Sequence, residues 1–426
     1  MSKSMTSPTA ISLFCSSGIG DIALRRVGVT VLVANELVAE RCDLFETNFP
    51  ETQLVRGSIW EKKDQIINET KHLLNGTNLD FALITPPCQG MSKNGRGKLL
   101  AEIRAGRRSK VDERNLLIVP SLEIIKKLQP TTVVFENVPE MVNTVIPDLD
   151  DVIEIIDLIK RELSDWSVEA KIIEFADYGV PQRRQRLITI ATKDPKLVDL
   201  KKSEGTFFPS PTHSSNGCLF TEKWNTVRDS IGGFEPLDGL KKPKSDNYEL
   251  HYVPKLDETK YFWVSNTPEG KSAFDNQCIK CKHQDNPTHS AKRNIEGVNR
   301  ASNETPIYCL SCGALLPRPV VVKDGKTRLM KGFTSAYKRM DWDSPASAIT
   351  RNFPYACSDN KIHPEQNRTL SVLEALTLHS IGENEYRFEY KNGKKAGSVA
   401  IRDTLGESVP PKFLEILFTH ILKAVN

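Results

Sequence analysis

The sequence of 426 residues lacks any run of about 18 apolar residues, which excludes a helix that spans a membrane. Residues 1–10 have neither the apolar core of a signal peptide nor the arginine-rich pattern of a transit peptide. The nine cysteines are odd in number and, apart from two C-x-x-C pairs, scattered, unlike the disulfide framework of a secreted protein. We therefore expect no membrane partner and a location in the reducing cytoplasm.

The excess of positive over negative charge is also small, since the formal net charge is only +4. Taken alone, this balance gives weak support for a nucleic-acid partner. The basic residues are unevenly placed, however, and residues 93–114 and 323–339 form two basic stretches. Such stretches can follow a phosphate backbone, although a solvated loop is the simpler interpretation of either one alone.

Short apolar runs alternate with amphipathic segments from Ile11 to Thr192, which predicts a parallel α/β sheet. The amphipathic segments include residues 116–128 and 152–163. After Lys193 the alternation stops, and helical patterns return only at Leu370. We therefore expect three parts along the chain. They are a first domain (1–204), a smaller inserted domain that is mostly irregular or β (205–345), and a C-terminal segment that completes the first domain (346–426).

A glycine-containing turn, Phe14 to Asp21, follows the first predicted strand. Glycines there let the backbone approach a ligand closely, although such a turn is often only a tight turn. Glu36 ends the next strand, where a carboxylate can accept hydrogen bonds from ribose hydroxyls. Because the G-x-G-x-x-G pattern is missing, the turn favours a nucleotide-like cofactor other than NAD.

Three further segments follow predicted strands and carry reactive side chains. Cys88 follows two prolines at the end of one strand, and Glu136 ends another. The carboxyl edge of an open α/β sheet is where such proteins place their sites. Arg184 and Arg186 alternate along a third strand, so we expect both cations on one side of it.

In this order the segments resemble the motifs of the DNA (cytosine-5) methyltransferase family, of the restriction-modification type. Residues 367–371 with Glu374 resemble the penultimate motif of the family, and residues 406–410 resemble the last. The resemblance implies a Rossmann-like domain that binds S-adenosylmethionine, with an inserted target-recognition domain. It also implies that the protein methylates carbon 5 of a cytosine flipped out of duplex DNA.

The resemblance assigns a role to each motif residue. Cys88 adds to carbon 6 of the base, Glu136 holds its N3 edge, Arg186 holds its carbonyl oxygen, and Arg184 supports the same site. The expected cofactor contacts are Phe14, Ser17, Gly18, Ile19, Gly20, Glu36, Ser58, Ile59, Pro87, Glu407 and Ser408. The expected DNA contacts are Gln89, Ser92, Lys93, Arg96 and Lys98.

Two positions depart from the family pattern. Ser58 stands where the family usually has an aspartate for the adenine amino group, so we expect weaker cofactor binding. Glu407 stands where the family usually has asparagine. Its carboxylate either repels the carboxylate of the cofactor or pairs with its amino group, and the sequence leaves both open.

Two C-x-x-C pairs lie in the inserted region, Cys278 with Cys281 and Cys309 with Cys312. Each pair offers two thiolates, and together they complete a tetrahedral site of the kind that structural zinc prefers. Unligated or disulfide-linked cysteines and an iron–sulfur cluster are the alternatives. We expect the metal to stabilise the inserted domain and to take no part in catalysis.

Two other functions remain open at this stage: an RNA (tRNA) cytosine-5 methyltransferase, and a non-catalytic DNA-binding protein on a methyltransferase fold. We expect a monomer that acts on double-stranded DNA and is associated with the nucleoid. A cognate restriction endonuclease is the expected partner in the same system.

Overall fold

The computed structural model describes residues 7–87, 113–148, 151–288, 292–293, 299–300, 305–331, 335–358 and 360–425. Among them, no helix has the length and hydropathy to cross a membrane.

Seven strands form the central sheet. In chain order they are β1 (Thr9–Leu13), β2 (Thr30–Glu36), β3 (Gln53–Arg56), β4 (Phe81–Ile84), β5 (Thr132–Asn137), β6 (Ser167–Glu174) and β7 (Gln185–Thr192). Their order across the sheet is β3-β2-β1-β4-β5-β7-β6. The α/β class predicted from the sequence is therefore confirmed. The sheet is mixed, however, because β7 runs antiparallel to both β5 and β6.

The α-helices of the described residues are α1 (Asp21–Arg26), α2 (Ala39–Asn48), α3 (Ile59–Leu74), α4 (Ile118–Leu128), α5 (Ile155–Glu162), α6 (Pro195–Glu204), α7 (Val227–Ile231), α8 (Glu258–Ser265), α9 (Val372–Leu378), α10 (Ser398–Glu407) and α11 (Pro411–Val425). Single turns of 3-10 helix occur at Glu113–Leu117, Pro139–Asn143, Phe175–Tyr178 and Ala273–Asp275. The short strand pairs are Val145–Asp148 with Asp151–Glu154, Gln182–Arg183 with Ala346–Ser347, His213–Ser214 with Glu222–Lys223, Lys292–Arg293 with Asn299–Arg300, and Val320–Lys323 with Lys326–Leu329.

Local sequence signals explain several helix boundaries. Asp194 caps α6 by accepting hydrogen bonds from backbone N–H groups, and Gly205 ends the helix in a left-handed conformation. Ser371 and Glu374 form a capping box at the start of α9. The amphipathic segment predicted over 152–163 is helical only from Ile155, because its first residues belong to a strand.

Two apolar cores cover the two faces of the sheet. Alternate side chains point to opposite faces, so Leu83 and Val134 enter one core while Ile84 and Phe135 enter the other. The last helix packs on the first of these cores, where Phe418 meets Phe81 edge-on with ring centroids 5.4 Å apart. The two ends of the chain therefore pack together on one face of the sheet.

Candidate active site

A cavity of about 330 Å³ opens at the carboxyl edge of the sheet. It collects residues from both ends of the chain. The sequence-predicted residues that line it are Phe14, Ile19, Gly20, Glu36, Ser58, Ile59, Pro87, Glu136, Arg184, Arg186, Glu407 and Ser408. Candidates for cofactor binding and for catalysis thus share one cavity.

The loop after β1 is shaped around the carboxylate of Glu36. One oxygen of Glu36 accepts a hydrogen bond from the backbone N–H of Ser16 at 2.9 Å, and the other accepts from Leu37 and Val38. Phe14 and Ser16 both have positive φ angles, of 59° and 52°, which residues other than glycine rarely adopt. These bonds hold the loop in that conformation, with Glu36 only 6% exposed.

Ser17 and Gly18 lie behind the cavity lining. Ser17 donates a hydrogen bond to the hydroxyl of Thr404 at 3.0 Å. Gly18 has a φ of +88°, and a Cβ placed on it would lie 2.4 Å from the ring of Phe49. The Ser17 side chain therefore holds the loop from behind, and the lack of a side chain at Gly18 lets the loop pack against Phe49.

Ser58 and Ile59 begin α3 on the neighbouring wall, where the backbone N–H of Gly57 donates to the Glu36 carbonyl at 2.9 Å. Among the described residues, the Ser58 hydroxyl makes no capping hydrogen bond. The amide of Asn35 positions this wall by donating to the carbonyls of Val55 and Gly57 at 2.8 and 3.1 Å. Sequence reasoning missed Asn35, although it immediately precedes Glu36 at the strand end.

The pair formed by Glu136 and Arg186 lies at the centre of the sheet edge. Because β7 is antiparallel to β5, its first residues lie beside the last residues of β5, and Ile188 is opposite Glu136. Arg186 Nε is 2.8 Å from Glu136 Oε1. Burial raises the pKa of Glu136, and the positive charges of Arg186 and Arg184 oppose that rise without cancelling it.

Arg184 connects the sheet edge with the C-terminal segment. It is 3% exposed, and its guanidinium donates to the carbonyls of Ile349 at 3.0 Å and Ser408 at 2.8 Å. Gly406 packs closely against the backbone of Arg351, because a Cβ there would lie 2.1 Å from the backbone nitrogen of Arg351. Arg184 therefore acts on the cavity by holding the Ser408 segment in place.

Cys88, Gln89, Ser92, Lys93, Arg96 and Lys98 lie outside the described residues. The segment that leads to Cys88 is described, however, and is held on two sides. The Thr85 hydroxyl donates to the Phe14 carbonyl at 3.0 Å, and the Asn137 amide donates to the Pro86 carbonyl at 3.2 Å. Asn137 received no role from the sequence, and its position directly after Glu136 was the available signal.

Asp21 is a third residue to which the sequence gave no role. It lines the cavity, is 2% exposed, and its Oδ1 has no hydrogen-bond partner in the described part of the chain. Burial raises its pKa to about 6. A buried carboxylate with a spare oxygen facing this cavity suits a ligand that carries hydrogen-bond donors or positive charge.

The four cysteines predicted to bind a metal come together. The sulfur atoms of Cys278, Cys281, Cys309 and Cys312 all lie within 4.8 Å of one another. Cys278 and Cys309 are buried, whereas the other two are exposed. This arrangement can hold one metal ion with four thiolate ligands.

Comparisons with known proteins extend these observations. A family model described as C-5 cytosine-specific DNA methylase matches residues 9–423. The Type II methyltransferase M1.HgaI of Avibacterium volantium is 28% identical over 96% of this chain and 97% of its own length. The Type II methyltransferase M1.HphI of Haemophilus parahaemolyticus is 26% identical over 97% of this chain and 87% of its own length. The crystal structure of S. pombe Dnmt2 methyltransferase covers 99% of this chain and all of that chain, with a TM-score of 0.51 and 10% sequence identity.

The chain belongs to the C-5 cytosine-specific DNA methylase family. It is an enzyme that methylates carbon 5 of cytosine in DNA, and the family implies S-adenosylmethionine as the methyl donor. The cavity suits this donor, because Glu36 and Asp21 line it, and carboxylates can accept hydrogen bonds from ribose hydroxyls and can lie favourably near a cationic sulfur.

Proposed function

We propose that this cavity holds S-adenosylmethionine beside a flipped-out cytosine, and that Cys88 is the nucleophile. The observation that carries the proposal is that the Glu36 loop and the Glu136–Arg186 pair line one cavity. Pro87, which immediately precedes Cys88, lines it too. S-adenosylmethionine supplies, when bound, a methyl group on positively charged sulfur.

Carbon 5 of cytosine is a poor nucleophile, so the base must be activated. The Cys88 thiolate adds to carbon 6 while Glu136 donates a proton or a strong hydrogen bond at N3. The bound donor would supply the methyl group to carbon 5, and its sulfur would leave as a neutral thioether. Loss of the carbon 5 proton to water then breaks the bond from Cys88 to carbon 6, which frees the thiolate, and N3 returns its proton to Glu136. Arg186 binds the ring carbonyl oxygen, and Arg184 positions the neighbouring segment.

For DNA recognition we propose residues 205–345 as the target domain, with Gln89, Ser92, Lys93, Arg96 and Lys98 contacting the DNA beside the nucleophile. We propose zinc as the metal of the four cysteines, because four thiolates match its preferred structural site. The domain also carries a two-stranded ribbon, Val320–Lys323 paired with Lys326–Leu329. Its exposed cations, Lys323, Lys326 and Arg328, make no ion pair within the described residues.

The biological setting is proposed from the relatives. Both curated relatives named above are Type II methyltransferases, which supports a restriction-modification system with a cognate endonuclease. We propose that the chain acts as a monomer in the cytoplasm, where it associates with the nucleoid. Size-exclusion chromatography with light scattering tests the monomer directly.

The test of the reaction is transfer of labelled methyl from S-adenosylmethionine to mixed-sequence duplex DNA. Reactions with tRNA, and with the Cys88→Ser variant on DNA, run in parallel. We expect label in DNA cytosines of one sequence context, read by conversion sequencing, and no label with Cys88→Ser. Label in tRNA alone contradicts the substrate, and a fully active Cys88→Ser variant contradicts the nucleophile.

A further inference from the structure

Arg41, on the first turn of α2, forms an ion pair across the cavity with a residue of α10, near the C-terminus. Its Nη2 lies 2.5 Å from Oε2 of Glu407, which is the last residue of α10. Both residues line the cavity, and their side chains are 24% and 20% exposed. The guanidinium of Arg41 is therefore fixed at the cavity wall while still open to a ligand.

Glu407 is held from its other side by a second arginine. Arg351 Nη1 lies 3.2 Å from Glu407 Oε1, and its Nε lies 2.9 Å from Asp403. Both oxygens of Glu407 are thus engaged by arginines. The charge that departs from the family pattern is therefore compensated by protein cations, and it holds Arg41 in place.

Arg41 has hydrogen-bond donors to spare. Within the described residues, its guanidinium donates only to Glu407. The helix that carries Arg41 begins at Ala39, shortly after Glu36 in the chain. Glu407 is followed by Ser408, another residue that lines the cavity. Arg41 therefore lies between the wall expected to bind the ribose and the wall expected to bind the methionyl part of the cofactor.

We propose that Arg41 binds the carboxylate of S-adenosylmethionine, and that Glu407 and Arg351 are positioning residues for its guanidinium. The inference rests on the proposed cofactor site. The carboxylate is the one anionic group of this cofactor, and a planar guanidinium matches its geometry with two parallel hydrogen bonds. The glutamate at position 407, where the family usually has asparagine, then pairs with a basic residue on the other wall of the cavity.

The test is a calorimetric titration of the full chain with S-adenosylmethionine and with its decarboxylated analogue. A hydrogen bond to a charged group contributes roughly 1.5–3 kcal/mol, so we expect Arg41→Ala to weaken S-adenosylmethionine binding by about 10- to 150-fold. The analogue lacks the carboxylate, and its affinity should change less than about twofold. Arg402→Ala is the matched control, because Arg402 lies on α10 and contacts Tyr355 away from the cavity lining.

Glu407→Asn restores the usual family residue and should also weaken the carboxylated ligand selectively, because it releases Arg41. Equal loss of both ligands in Arg41→Ala would show a purely structural role and overturn the inference, as would unchanged binding of both. If the wild-type protein binds neither ligand, the proposed cofactor site itself is wrong. The carboxylate contact and the cofactor site can thus fail separately.

Discussion

Arg186 Nε lies 2.8 Å from Oε1 of Glu136, and yet burial keeps the pKa of that carboxyl above its usual value. The two effects oppose each other, since the arginine favours the carboxylate and desolvation favours the neutral acid. The proposed reaction needs the acid form at the N3 edge of the base. We therefore expect the pair to set the pH range in which the enzyme works.

Replacing Glu136 by Gln should lower kcat by about 100- to 10,000-fold, the usual contribution of a general acid. In the wild type, kcat should fall as pH rises through the raised pKa of Glu136, because the acid form is lost. Arg186→Met removes the charge that lowers this pKa, so the alkaline fall should move to higher pH.

The pH profile of methyl transfer measures both effects. Arg183→Met provides the control, because the exposed Arg183 pairs with Glu174 and should leave the profile in place. An unchanged alkaline fall in Arg186→Met would contradict the acid role of Glu136.

Asp21 predicts a pH dependence of folding. Burial raises its pKa from 3.8 to about 6, which corresponds to roughly 3 kcal/mol because each pKa unit is about 1.4 kcal/mol. The unfolded chain ionises this group first. Its contribution to stability is therefore complete below pH 3.8 and is lost as pH rises through about 6.

Asp21→Asn removes this loss, so its free energy of unfolding relative to wild type should rise by up to about 3 kcal/mol between pH 4 and pH 7. Urea unfolding at the two pH values measures the difference. Asp246→Asn, at an exposed aspartate, should show little change between them. A difference for Asp21→Asn that stays constant with pH would refute the assignment.

The sequence predicted what depends on local pattern. Strand ends, the glycine turn and the cysteine spacing are local, so the α/β class was correct and most of the predicted cofactor residues share one cavity. The antiparallel direction of β7 was not predictable from its apolar pattern, which is the same in either direction. Arg41 was missed because its partner, Glu407, lies 366 positions away, and no local signal links the two.

The four-cysteine cluster predicts a structural metal. Cys278→Ser should abolish binding of the zinc ion and destabilise the surrounding residues, because a tetrahedral site needs all four ligands. S-adenosylmethionine binding should remain, since none of these cysteines lines the cavity.

Metal analysis and calorimetry measure the two effects. Cys218→Ser, at an exposed cysteine outside the cluster, should retain its zinc. Wild-type protein without bound metal would reject the site.

The ribbon of Val320–Lys323 and Lys326–Leu329 predicts an electrostatic contact with DNA. A two-stranded ribbon fits the major groove, and on this ribbon Val322 is 72% exposed beside cations that form no ion pair with any residue that the structure describes. Replacing Lys326 and Arg328 by alanine should weaken DNA binding and reduce the slope of log affinity against log salt by about 2, one for each lost phosphate contact.

Fluorescence anisotropy over a salt series measures this slope. The matched control is Lys71→Ala with Lys127→Ala. These exposed lysines lie in the last turns of α3 and α4, which precede the amino ends of β4 and β5. An equal slope in wild type and the ribbon variant would place the ribbon away from the DNA, whereas a reduced slope with altered sequence preference would show that at least one of the two residues contacts a base.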